Sequence, residues 1–139
     1  MPEALSEGAR LGVDLTAHRA RPLRGQDLSG ADLVLGFERT HVAAAVVDGG
    51  APLERTFTMP ELAGLLDSVE AGGDGDPAAR ARRIVEVAGR TREHDPRIEL
   101  VPEVADPFGA PGAVYRETAD TLDRLTGRLA RGLFGAGEQ

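Results

Sequence analysis

The sequence predicts an α/β domain built on a parallel sheet, and three observations lead there. Leu33-Val34-Leu35-Gly36-Phe37 is a short unbroken apolar run, the pattern of a strand buried on both faces. A segment with helical spacing follows it, from about Thr40 through Val42, Ala43, Val46 and Val47 to a stop at Asp48-Gly49-Gly50. A second, weaker strand at about Glu54 to Phe57 then leads into another helix. Strands that alternate with helices lie parallel, because each helix carries the chain back across the sheet.

Ala4, Leu5, Ala9 and Leu11 recur at helical spacing before Gly12, so the chain opens on a helix with a glycine at its C-terminal end. Thr58-Met59-Pro60-Glu61 has the form of a capping box with proline in the first turn, and Leu62, Leu65, Leu66 and Val69 form the apolar stripe of its helix. Residues 71–76 read as a loop, and Asp76-Pro77 as the N-cap and first turn of a helix to about Arg92 that buries Ile84, Val85 and Ala88. Residues 93–112 show no period. A last helix carries Val114, Leu122, Leu125, Leu129 and Leu133 at intervals of three and four, with a tail from about Gly132. No internal repeat or long linker divides the 139 residues, so a single domain over 1–139 is expected.

Composition excludes several classes of function. The chain has no cysteine, which removes disulfides, thiolate metal sites and thiol nucleophiles from these residues. A net charge of -7 opposes non-specific binding to nucleic acid or to anionic membranes. No apolar run approaches the roughly 20 residues of a membrane span. The N-terminus lacks a basic region followed by an apolar one, so a cytoplasmic location is expected. Every basic residue is arginine, which fits a biased genome better than 16 separate needs for guanidinium geometry.

Few constellations carry chemistry. The glycines at 72, 73 and 75 sit among acidic residues that repel an anion, so they do not form a phosphate loop. His18, His41 and His94 lack metal-ligand spacing, and neither a metal nor a cofactor is expected. Ser6, Ser29 and Ser68 stand in no nucleophile-elbow pattern. Asp106-Pro107-Phe108-Gly109 is the segment of interest. Asp106 is either a general acid on a loop, with Phe108 as a pocket wall, or simply the cap of a turn. His18, Arg19 and Arg21 either face an anion or are solvated polar residues.

In order and spacing, four pieces resemble the low-molecular-weight protein tyrosine phosphatase family, which also includes thiol-dependent arsenate reductases. They are Gly12-Val13-Asp14-Leu15-Thr16-Ala17-His18-Arg19-Ala20-Arg21, Ala31-Asp32-Leu33-Val34-Leu35-Gly36-Phe37-Glu38-Arg39-Thr40-His41, Thr56-Phe57 before a leucine-rich helix, and Asp106-Pro107-Phe108-Gly109 with Tyr115 in the last helix. The resemblance implies a doubly wound, flavodoxin-like three-layer fold. It further implies that Asp106 is the general acid, that Phe108 lies beside the substrate pocket, and that His18 supports the phosphate loop.

Family members open with a strand leading into a Cys-x5-Arg loop, and nothing in this sequence matches it. The chain is therefore expected to be an N-terminally truncated remnant, with Met1 an internal methionine taken as a start or the gene disrupted. Two parallel strands with an apolar edge unpaired are expected, which implies marginal stability, self-association or an alternative partner at that edge. Phosphomonoester hydrolysis is the family's activity, but these residues are expected to be inactive for want of a nucleophile. The alternative is a pseudophosphatase that binds a phosphoprotein or a phosphorylated small molecule.

Overall fold

A computed structural model describes residues 2–69, 75–93 and 101–135. In chain order the elements are α1 (Pro2–Arg10), β1 (Val34–Gly36), α2 (Arg39–Gly49), a 3-10 turn at Leu53–Arg55, β2 (Thr56–Thr58), α3 (Met59–Leu66), α4 (Pro77–Arg92) and α5 (Gly112–Phe134). β1 and β2 form a two-stranded parallel sheet in which Val34 faces Thr56, Leu35 faces Phe57 and Gly36 faces Thr58. The chain is thus a mixed helix and sheet structure with parallel strands. The loop read at 71–76 falls mostly outside the described residues, as does part of the aperiodic stretch 93–112.

Local signals set most helix starts. Thr58 Oγ1 accepts from the Glu61 N–H at 3.2 Å, and Glu61 Oε1 accepts from the Thr58 N–H at 3.3 Å, which completes the capping box of α3. The Asp76 carboxylate accepts from the Ala79 N–H at 3.1 Å at the start of α4. α2 starts at Arg39, next to Thr40, as expected. Its N-cap is Glu38, where His41 Nδ1 accepts from the N–H groups of both Phe37 and Glu38 at 3.2 Å, so the imidazole ties the end of β1 to the first turn. It ends where Gly50 takes φ 69 and the Ala51 N–H donates to Ala45 O at 3.0 Å, a closure that favours glycine.

The strands differ from expectation. β1 covers three residues of the apolar run rather than five, and it is not buried on both faces: Leu35 is 37% exposed. Only β2 flanks it among the described residues. The second strand is displaced towards the C-terminus, because Glu54 and Arg55 belong to the 3-10 turn and the ladder begins at Thr56. Two apolar assignments also change. Val47 on α2 is 80% exposed, and in α5 Tyr115 is buried where Val114 is not.

Side chains alternate across β1 and β2 and so divide the packing. Leu33, Phe37 and Phe57 join a core with Leu62, Ile84, Val85, Ala88, Leu125, Leu129 and Leu133 from α3, α4 and α5. Val34, Gly36 and Thr56 face His41, Val42 and Ala45 of α2. α1 packs on α5, with Arg10 paired to Asp120 at 2.6 Å.

α4 approaches the 3-10 turn closely enough that a Cβ on Gly89 would lie 2.4 Å from Glu54 O, whereas one on Gly64 of α3 would meet nothing within 4 Å. Gly89→Ala is expected to cost about 2 kcal/mol through overpacking. Gly64→Ala is expected to add about 0.5 to 1 kcal/mol through helix propensity. Urea denaturation of the two variants checks this, and a neutral Gly89→Ala would show that the close approach does not exist.

Candidate functional site

Ligands of parallel α/β folds gather at the carboxyl ends of the strands, where backbone turns present side chains to a crevice. At the carboxyl end of β1 the segment 101–106 is tied down three times. The Val104 N–H donates to Phe37 O at 3.0 Å, the Arg39 N–H donates to Glu103 Oε1 at 2.8 Å, and the Arg39 guanidinium donates to Val101 O at 3.2 Å. Asp106 follows from this anchored stretch. Its Oδ1 accepts from the Phe108 N–H at 3.0 Å, and the Ala110 N–H donates to Pro107 O at 2.8 Å across Gly109, which takes φ 79. Asp106 is therefore a turn cap, as one of its two sequence readings had it.

Asp106 also lines a cavity of about 450 Å³. Leu11, Val13 and Leu15 from the end of α1 and the loop beyond it, Phe37 after β1, and Tyr115 and Leu122 of α5 supply its apolar walls. A carboxylate at the mouth of an apolar crevice is placed to exchange a proton or to hold a cation. Phe108 is 72% exposed and, like His18, is not among the lining residues. His18 lies on an exposed turn in which its N–H donates to Leu15 O at 3.0 Å. Arg19 turns back on its own backbone, donating to Thr16 O at 3.1 Å and His18 O at 2.8 Å. Asp14 closes the same turn by accepting from the Thr16 hydroxyl and N–H, which hold its carboxyl below the ordinary range. Of the three residues singled out for function, the cavity gathers Asp106 alone.

A second polar centre went unread in the sequence. Arg92 lies with its guanidinium 4.5 Å from the centre of the Phe57 ring, donates to Thr56 O at 2.7 Å and to Leu53 O, and approaches Glu61 Oε1 at 3.5 Å. Both side chains of the pair are largely buried, at 14% and 13% exposed. They border a cavity of about 390 Å³ walled by Val42, Val46 and Leu53. Burial pushes the Glu61 carboxyl above its ordinary value, and the charge of Arg92 opposes that rise without cancelling it. Glu61 is legible as a cap residue, but no local spacing links it to an arginine 31 positions away.

Among the described residues no group of three or more His, Cys, Asp or Glu side chains is placed to hold a metal ion, and no helix is long and apolar enough to cross a membrane. His94 lies outside the described residues. No protein-family model matches the chain, and no curated protein or solved structure does.

Because the folded Glu61 carboxyl sits above the ordinary 4.5, folding takes up a proton there. Its contribution to stability is greatest at or below 4.5 and falls as pH rises through the raised folded value. Carbon-detected NMR titration should give Glu61 a midpoint above the ordinary 4.5, and a midpoint at or below that value would contradict the burial of the pair.

Proposed function

We propose that the chain is the body of a low-molecular-weight protein tyrosine phosphatase-like domain, with the doubly wound, flavodoxin-like architecture of that family, and that Asp106 is its general acid. The observation that carries this is the position of Asp106, on a loop anchored to the carboxyl end of β1 and at the mouth of the 450 Å³ cavity. In that chemistry a thiolate forms an S–P bond as the P–O bond to the leaving phenolate breaks, and the acid supplies the proton that the phenolate takes up. Phe108 would border the substrate and His18 would brace the loop that holds the phosphoryl oxygens. The substrate class is a phosphomonoester on a protein or a small molecule. These 139 residues contain no cysteine, so they hold the proton donor without the nucleophile.

Two measurements test this. The 139-residue chain and its Asp106→Asn variant should both leave a generic aryl phosphate at the background rate, and turnover by the chain that the variant loses would reveal a different nucleophile. A chimaera that carries a strand and Cys-x5-Arg loop from a family member ahead of Met1 should hydrolyse the same substrate. Asp106→Asn should then lower its kcat by about 10²-fold or more, the usual worth of a positioned acid. A folded chimaera that is inactive, or indifferent to Asp106→Asn, would remove Asp106 from the role.

A further inference from the structure

Among the described residues the Asp106 side chain bonds only within its own turn, where it accepts from the Phe108 N–H. Ala105, Asp106, Phe108 and Gly109 are exposed, and no printed backbone bond between Ala105 and Ala110 leaves the segment. Asp106 therefore takes its place over the cavity from the two ends of this loop. One end is α5, from Gly112 onward, and the other is the stretch 101–104.

That stretch is fastened on two sides. Val104 is 6% exposed, packs in the core, and donates its N–H to Phe37 O. Glu103 is exposed, and its Oε1 accepts from the Arg39 N–H at 2.8 Å and lies 3.3 Å from Arg39 Nε. Arg39 is the first residue of α2, so its N–H is one of the donors that the helix cannot satisfy from within, and a carboxylate beside it also meets the positive end of the helix dipole. The same guanidinium donates to Val101 O at 3.2 Å, and Pro102, its φ fixed by the ring, stiffens the link between the two points of attachment. A partly exposed ion pair alone contributes little to stability. Here one carboxylate also accepts from a backbone N–H fixed at the carboxyl end of β1, three residues ahead of Asp106, so its effect is on place rather than on stability.

We propose that Glu103 is a positioning residue for the general acid: held by Arg39, it sets the reach of Asp106 towards the leaving oxygen of a phosphomonoester. This role rests on the phosphatase-like reading of Asp106. Glu103 touches neither substrate nor reacting atoms and acts through Asp106 alone. Acid catalysis is steep in position, a misplacement of about 1 Å costing up to about 10²-fold. Loss of Glu103 should therefore be felt where the leaving group needs a proton. Phenolate needs one, whereas 2,4-dinitrophenolate spreads its charge over the nitro groups and departs without it.

In the 139-residue chain, Glu103→Ala should lower the ¹⁵N order parameters of Phe108 and Ala110, which report the Asp106 turn, from the rigid range of about 0.85. Unchanged values overturn the proposal. In the chimaera that supplies the Cys-x5-Arg loop, Glu103→Ala should lower kcat for phenyl phosphate by about tenfold, part of the 10²-fold worth of the acid, with KM unchanged and a much smaller loss on 2,4-dinitrophenyl phosphate. Glu103→Gln, which keeps an acceptor for the Arg39 N–H, should restore most of that rate. In an Asp106→Asn background Glu103→Ala should cost nothing further on phenyl phosphate, because the two act in one chain of cause. An equal loss in both backgrounds, or on both substrates, overturns the role of Glu103 and leaves that of Asp106 standing. A chimaera that is inactive, or indifferent to Asp106→Asn, removes the acid and with it the residue that positions it. Should Glu103→Ala fail to fold, Arg39→Lys, which keeps the backbone donor but cannot join Glu103 to Val101, is read in the same way.

Discussion

A strand of three residues has too few ladder bonds to hold a sheet together, so the buried state of Thr56-Phe57-Thr58 depends on what encloses it. Arg92 does most of this. Its guanidinium lies over the Phe57 ring, and its donors satisfy the carbonyls of Thr56 and Leu53. The buried hydroxyls are satisfied locally, that of Thr56 by Pro52 O at 2.7 Å and that of Thr58 by the Glu61 N–H. With its polar groups paired, β2 can serve as the common contact of α2 on one face and of the core from α3, α4 and α5 on the other. A lysine at position 92 could not reproduce this, for an ammonium cannot stack on the ring and reach two carbonyls in one plane.

What could be read from the sequence follows the range of the forces involved. Thr58 with Glu61, and Asp76 with Pro77, act within three residues, and both helices start where those signals place them. The apolar stripes of α3 and α4 were equally legible, because helix periodicity is a local property and burial of Leu62, Leu65, Ile84 and Val85 follows from it. The strand at Leu33–Phe37 was legible in kind but not in extent. An unbroken apolar run indicates the potential to be buried on both faces, while actual burial depends on a neighbour at each edge, and β1 has one only on the β2 side among the described residues. The contacts of Arg92 with Glu61, and of Gly89 with the Leu53–Arg55 turn, join segments 30 or more positions apart, and no periodicity encodes them.

The site was legible in part for the same reason. Asp106-Pro107 announces a turn, and the turn is present; its anchorage to β1 through Phe37, and to the start of α2 through Glu103, is tertiary. The stretch from Asp14 to Ser29 behaves differently. Short-range turns closed by Asp14 and Asp27 on the hydroxyls and amides two residues on account for most of its order, and its longer ties are the Leu28 N–H to Gly49 O at 2.7 Å and Arg55 to Ser29 O. Segments held by such turns expose their polar side chains, so His18 and Arg19 face solvent or their own backbone rather than the cavity that Leu15 reaches.

The role proposed for Asp106 depends on a second group. As a proton donor it must meet a leaving oxygen inside the crevice, and the worth of such an acid, about 10² to 10⁴ in rate, is realised only when a nucleophile makes the other bond. Within these 139 residues, which contain no thiol, that group is not a thiolate.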